Sequence, residues 1–183
     1  MSSTFKISVP RFLRSDLHEF LKSGSEKYDC IITERLIVNL PTEELQRLAI
    51  EALIARLRPG GAYLMVEGSQ QAFQVLNQYR SAAGLAEIPD VYPGNESSRK
   101  LDETWLAAVV AATCMAKIES TENFSFYNLV SKVLHPLLVA PEEPKFSAAI
   151  NGHAARIQDA LSARGVAIPD VGAGKLWVIR RSA

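Results

Sequence analysis

Tyr28-Asp29-Cys30-Ile31-Ile32-Thr33 is a short, nearly continuous apolar run of the kind a central parallel strand covered on both faces requires. Downstream, Leu45, Leu48, Ala49, Ala52, Leu53 and Leu57 recur at helical spacing, with Glu43 and Glu44 placing negative charge at the start. Pro41 suits the first turn of that helix, and Arg56 and Arg58 lie near its end. Pro59-Gly60-Gly61 then stops it and turns the chain into a second apolar run, Ala62-Tyr63-Leu64-Met65-Val66. Strand, helix, tight turn and strand make one βαβ unit with a right-handed crossover.

Working outward, the pattern predicts a helix over 69–83, ended by Gly84, with Phe73, Leu76 and Tyr79 on one side. Pro89, Pro93 and Gly94 mark a turn-rich segment over 88–99. A helix over 102–112, a strand over 115–120, a helix over 150–161 and a last strand over 175–180 complete the C-terminal side. Between them, 124–138 is aromatic and aliphatic, and Pro136 should kink or end it. On the N-terminal side, 5–12 reads as a short strand broken by Pro10, and 16–21 as a brief helical turn.

At 183 residues, 48% hydrophobic and 22% charged, the chain is one domain with a real core, which excludes disorder. Lysine plus arginine balance aspartate plus glutamate at 20 each, so no charge excess points to nucleic acid or a membrane surface. Arg180 and Arg181 read as a solvated tail. Cys30 and Cys114 are far apart among apolar neighbours, and read as buried free thiols in a reducing compartment, one disulfide being the alternative. With no signal segment or long apolar span in the sequence, a cytoplasmic protein is expected. His18 and His153 belong to no ligand spacing, so no metal is expected.

Residues 28–89 carry a resemblance. Ile32-Thr33-Glu34-Arg35-Leu36-Ile37-Val38-Asn39-Leu40, then Leu57-Arg58-Pro59-Gly60-Gly61, then Glu67-Gly68-Ser69 follow the order found in a family of class I S-adenosylmethionine (SAM)-dependent methyltransferases. A later aromatic-rich insert over 123–151, with Ala140-Pro141-Glu142-Glu143-Pro144, is similar to that family's cap over the acceptor side. Together these signatures span about three quarters of the chain. The resemblance implies an α/β fold of Rossmann-like class I methyltransferase type, a mostly parallel sheet flanked by helices. It also implies a truncated form: residues 1–183 as a single partial domain, without the glycine-rich SAM loop or the acidic strand end that holds the ribose.

In open α/β sheets ligands bind beyond the C-terminal strand ends. Thr33, Glu34, Arg35 and Asn39 follow one such end, and Glu67, Gly68 and Ser69 the next. The resemblance makes Thr33, Glu34 and Arg35, with Asp16 on the adenine side, the expected SAM contacts. Asn39, Glu67, Tyr127 and Asn128 are the expected acceptor contacts. Glu34 and Arg35 pairing with each other or with neighbouring helices, and only holding the loop, is the structural alternative. For His135, a turn residue ahead of Pro136 is the plainer reading, and a general base the sharper one. No catalytic residue is assigned.

Two functions stay open. One is SAM-dependent methyl transfer to a small molecule or carbohydrate, aided by dimerisation or a complementing subunit at an exposed sheet edge. The other is a non-catalytic methyltransferase-like subunit or interaction scaffold. Fold alone does not choose between them.

Overall fold

The expected strand–helix–strand unit is present in the computed structural model of the chain, which describes residues 14–22, 26–91 and 98–183. The strand read at 5–12 lies outside the described residues. A short helix α1 (Leu17–Lys22) leads to β1 (Tyr28–Glu34), a 3-10 turn (Ile37–Asn39), α2 (Glu43–Ala55) and β2 (Leu57–Gly68). Then come α3 (Gln70–Ala82), α4 (Glu103–Ala112), β3 (Ala116–Asn123) and α5 (Ser125–Leu129). A π-helical turn (Val130–Leu134), α6 (His135–Val139), α7 (Ala149–Ala163) and β4 (Gly174–Arg181) close the chain.

Helix starts follow side-chain capping. Thr42, Ser69 and Asp102 each accept a backbone N–H three residues on, at Leu45, Ala72 and Trp105. Thr42 therefore starts α2, and Pro41 stands before the helix rather than in its first turn. β2 begins earlier than expected, at Leu57, and the Pro59-Gly60-Gly61 turn is a bulge inside it. Tyr28 pairs with Leu57 but Cys30 with Ala62. Gly60 takes a left-handed φ of 76°. At Gly61 a Cβ would stand 2.9 Å from the Arg58 carbonyl and 3.0 Å from that of Asp29.

The sheet order is β1-β2-β4-β3. β1 runs parallel to β2, while β4 is antiparallel to both β2 and β3. Three strands therefore share one direction and β4 alone runs against them. One face of this sheet, with Tyr63, Met65, Trp177 and Ile179, is buried under Ile50, Leu53 and Ile54 of α2 and Leu106 and Val110 of α4. The other face carries the row Ile32, Leu64, Val178 and Ser120, paired across all four strands. Among the described residues, Ile32, Leu64, Val66, Leu176 and Val178 join neither hydrophobic cluster, and Ile32 is 68% exposed. Among the described residues β1 is an edge strand of this sheet.

Two expectations are corrected, and the expectation that Pro136 kinks or ends its helix is narrowed. Cys30 and Cys114 are free but exposed, Cys30 because it shares β1's open face and Cys114 because it sits in the turn after α4 with φ 53°. Arg180 and Arg181 are strand residues: Arg180 pairs with Glu119 at 2.8 Å, and Arg181 donates to the carbonyls of Ala55 and Leu57. Pro136 does not end its helix. Lacking an N–H, it leaves a carbonyl one turn back without a helical donor, and the chain adopts a π turn there. The guanidinium of Arg80 donates to the Lys132 carbonyl in that turn. No helix of the described residues is long and apolar enough to cross a membrane.

Candidate functional site

A cavity of about 500 Å³ opens at the C-terminal ends of β1 and β2. Glu34, Arg35, Glu67 and Gly68 form that end of it. Phe73 and Leu76 of α3 supply apolar lining, and Phe124, Asn128 and Lys132 line the cavity from the segment 124–134. Asp90 and Lys100 close the mouth together, with the Lys100 ammonium 2.7 Å from Asp90 Oδ1 and 3.8 Å from the Phe73 ring centre.

The expected site residues divide. Glu34, Arg35, Glu67 and Asn128 meet at this cavity. Thr33 points the other way: it is buried, with its hydroxyl 2.8 Å from that of Tyr63. Strand alternation separates it from Glu34, since successive side chains take opposite faces. Asn39 is exposed and donates to the Arg35 carbonyl at 2.5 Å, so it holds the loop rather than lining the cavity. Tyr127 is half-buried and Asp16 is exposed ahead of α1; neither lines the cavity.

Glu67 is the anchor of the site. Its Oε1 accepts the backbone N–H groups of Leu36 and Ile37 at 3.0 Å, and its Oε2 accepts that of Val38 at 3.2 Å. Three donors at the start of the 3-10 turn are thereby satisfied by one buried carboxylate. Burial pushes its carboxyl above the usual glutamate range, against those three N–H donors and the charge of Arg35, which pull it down.

Arg35 occupies a left-handed conformation, φ 49°, and its N–H donates to the Val66 carbonyl at 2.9 Å. That kink turns the chain out of β1 and roots the Arg35 side chain at the cavity. Asn128 sits in van der Waals contact with Gly172, where a Cβ would come within 2.2 Å of its Cγ. Gly172 adopts φ 105°, so only glycine fits there.

Lys100, Lys132, Phe124 and Gly174 line the cavity without having been expected to. Lys132 did carry a signal: it is the lone cation in the run 126–134. Lys100 carried none, because it reaches the site from a turn-rich segment. His135 is buried 3% exposed with its Nδ1 unpartnered, one turn from Ser131, whose hydroxyl is also unpartnered. His135 does not line the cavity.

No family model and no curated protein matches the sequence. Solved structures are similar in backbone, two methyltransferases among them. An O-methyltransferase family protein from Burkholderia thailandensis matches 94% of this chain at 10% identity and TM-score 0.48. A SAM-dependent methyltransferase from Archaeoglobus fulgidus matches 93% at 14% identity, with the same TM-score of 0.48. This chain spans 36% of the first and 66% of the second. Both scores lie below 0.5, so what the site does is decided by this chain's own residues. The chain is similar in backbone to part of each of these two methyltransferase structures.

Proposed function

We propose that the chain forms the acceptor side of a SAM-dependent methyl-transfer site, acting on a small molecule or carbohydrate once a second polypeptide completes the sheet. The observation that carries this reading is the cavity at the C-terminal ends of the parallel pair, where the Thr33-Glu34-Arg35 signature delivers Glu34 and Arg35. SAM, when bound, supplies an electrophilic methyl group. This chain's own part is narrower. Phe73, Leu76 and Phe124 exclude water, while Glu34 presents negative charge able to offset a sulfonium. Of the four residues expected to hold SAM, Thr33 is turned into the core and Asp16 lies apart from the cavity. The nucleoside end of SAM therefore fits this chain only with donors from elsewhere, and no step is assigned to its residues.

A second reading, a non-catalytic subunit, is favoured by the same open sheet. Among the described residues β1 is an edge strand, and its side chain Ile32 is apolar and exposed. A second copy or a complementing subunit would cover both. Calorimetric titration with SAM, with the solution mass measured alone and with neighbouring gene products, separates the two. Binding that emerges only with one added chain supports the completed site. A tight complex that never binds SAM leaves the scaffold reading standing and ends the catalytic one. A lone monomer without affinity for SAM or any partner ends both.

A further inference from the structure

We propose that the cavity selects an acceptor bearing a carboxylate on an apolar, ring-sized body, and that Arg35 and Lys132 are the residues that read the carboxylate. This rests on the acceptor-side reading of the cavity and names its ligand class.

The charge inventory carries the inference. Six ionisable side chains line the cavity: Glu34, Arg35, Glu67, Asp90, Lys100 and Lys132. Glu67 is consumed by three backbone N–H groups, and Asp90 and Lys100 neutralise each other. Among the described residues, the side chains of Arg35, Lys132 and Glu34 make no hydrogen bond or ion pair. The six lining groups are three acids and three bases and sum to no net charge, so recognition rests on the two cations that hold no hydrogen-bond or ion-pair partner, to which a carboxylate can bond.

Backbone geometry supports the same two residues independently. Arg35 stands in a left-handed conformation, clamped by its N–H to Val66 and by Asn39 on its carbonyl. Lys132 sits in the π turn, between buried Ser131 and Val133, with Arg80 bound to its carbonyl. Each is a locally unfavourable backbone arrangement held by its surroundings, and each delivers an unpaired cation to one cavity. The walls between them are Phe73, Leu76 and Phe124, which suit an apolar ring and not a bare inorganic anion.

The test titrates the full isotope-labelled chain by NMR with benzoate, benzyl alcohol, benzylamine and inorganic phosphate. Benzoate is expected to bind with Kd on the order of millimolar. It should bind at least about five-fold tighter than the alcohol, with Arg35→Gln and Lys132→Gln each losing about five-fold in folded protein. Phosphate should bind more weakly than benzoate, since it leaves the walls unfilled. Equal affinity for benzyl alcohol, preference for benzylamine or phosphate, unchanged affinity in either variant, or no binding by folded protein overturns the proposal. SAM titration in parallel keeps the two readings apart. Benzoate bound without SAM, even after complementation, defeats methyl transfer alone, and SAM bound without benzoate defeats only the anion site.

Discussion

The Glu67 carboxylate at the end of β2 accepts the Ile37 backbone N–H at 3.0 Å, tying one parallel strand to the turn that leaves the other. With Leu36 and Val38 on the same carboxylate, Glu67 shapes the cavity floor as a structural residue. Glu67→Gln replaces one acceptor oxygen with an NH₂ that faces an N–H donor. A loss of about 2 kcal/mol in urea unfolding is expected. A loss below about 0.5 kcal/mol would mean that the turn holds without it.

The same residue gives a pH signature. Burial raises its folded carboxyl above the ordinary 4.5, so the native state holds the proton more tightly than the unfolded chain. Its contribution is full below the unfolded value and is lost as pH rises through the raised one. The stability difference between wild type and Glu67→Gln should therefore shrink as pH climbs from about 4.5. A difference that grows over that interval would contradict burial as the dominant influence.

Lys175 is buried between Glu103 at 2.8 Å and Asp170 at 2.6 Å, and Glu103 also accepts from the Ser69 hydroxyl. Lys175→Met would leave two carboxylates facing an apolar group. Because both acids keep partial solvent contact, about 2 kcal/mol of destabilisation is expected, below the range for fully buried pairs. Restoration by Glu103→Gln in the Lys175→Met background would identify stranded charge as the cause; no restoration would point to packing.

Two glycines should respond with opposite signs. Gly172→Ala meets Asn128 and a φ of 105°, and should cost about 2 kcal/mol or more. Gly152, in α7 with open space around it, should gain about 0.5–1 kcal/mol on substitution by alanine. Thermal unfolding of both variants decides this, and the same sign for both would refute it.

Ile32→Glu adds charge at a position 68% exposed, so folding stability should change by less than about 0.5 kcal/mol. If the open face receives a second copy or another chain, the variant should lose that association in sedimentation while remaining folded. Association equal to wild type would move the interface elsewhere.

What the residues alone determined was everything local in origin. Apolar period gave β1, α2 and β2, the helices read over 69–83 and 102–112 match α3 and α4 to within a residue, and the Glu34-Arg35 signature falls at the cavity. These depend on spacing over a few residues, which sequence displays directly. Tertiary structure decided what spacing cannot show. Thr33 and Glu34 are neighbours in sequence, yet strand alternation sends one to the core and the other to the cavity. Glu67 reads as a ligand contact until three N–H groups from across the parallel pair claim it. Lys100 and Lys132 join Arg35 only because the segment ahead of α4 and the π turn line the same space. That Leu64 and Val178 join neither hydrophobic cluster among the described residues likewise emerges only from which helices pack on Tyr63 and Trp177. Burial and pairing are sums over the whole fold, so they become visible only when the chain is closed upon itself.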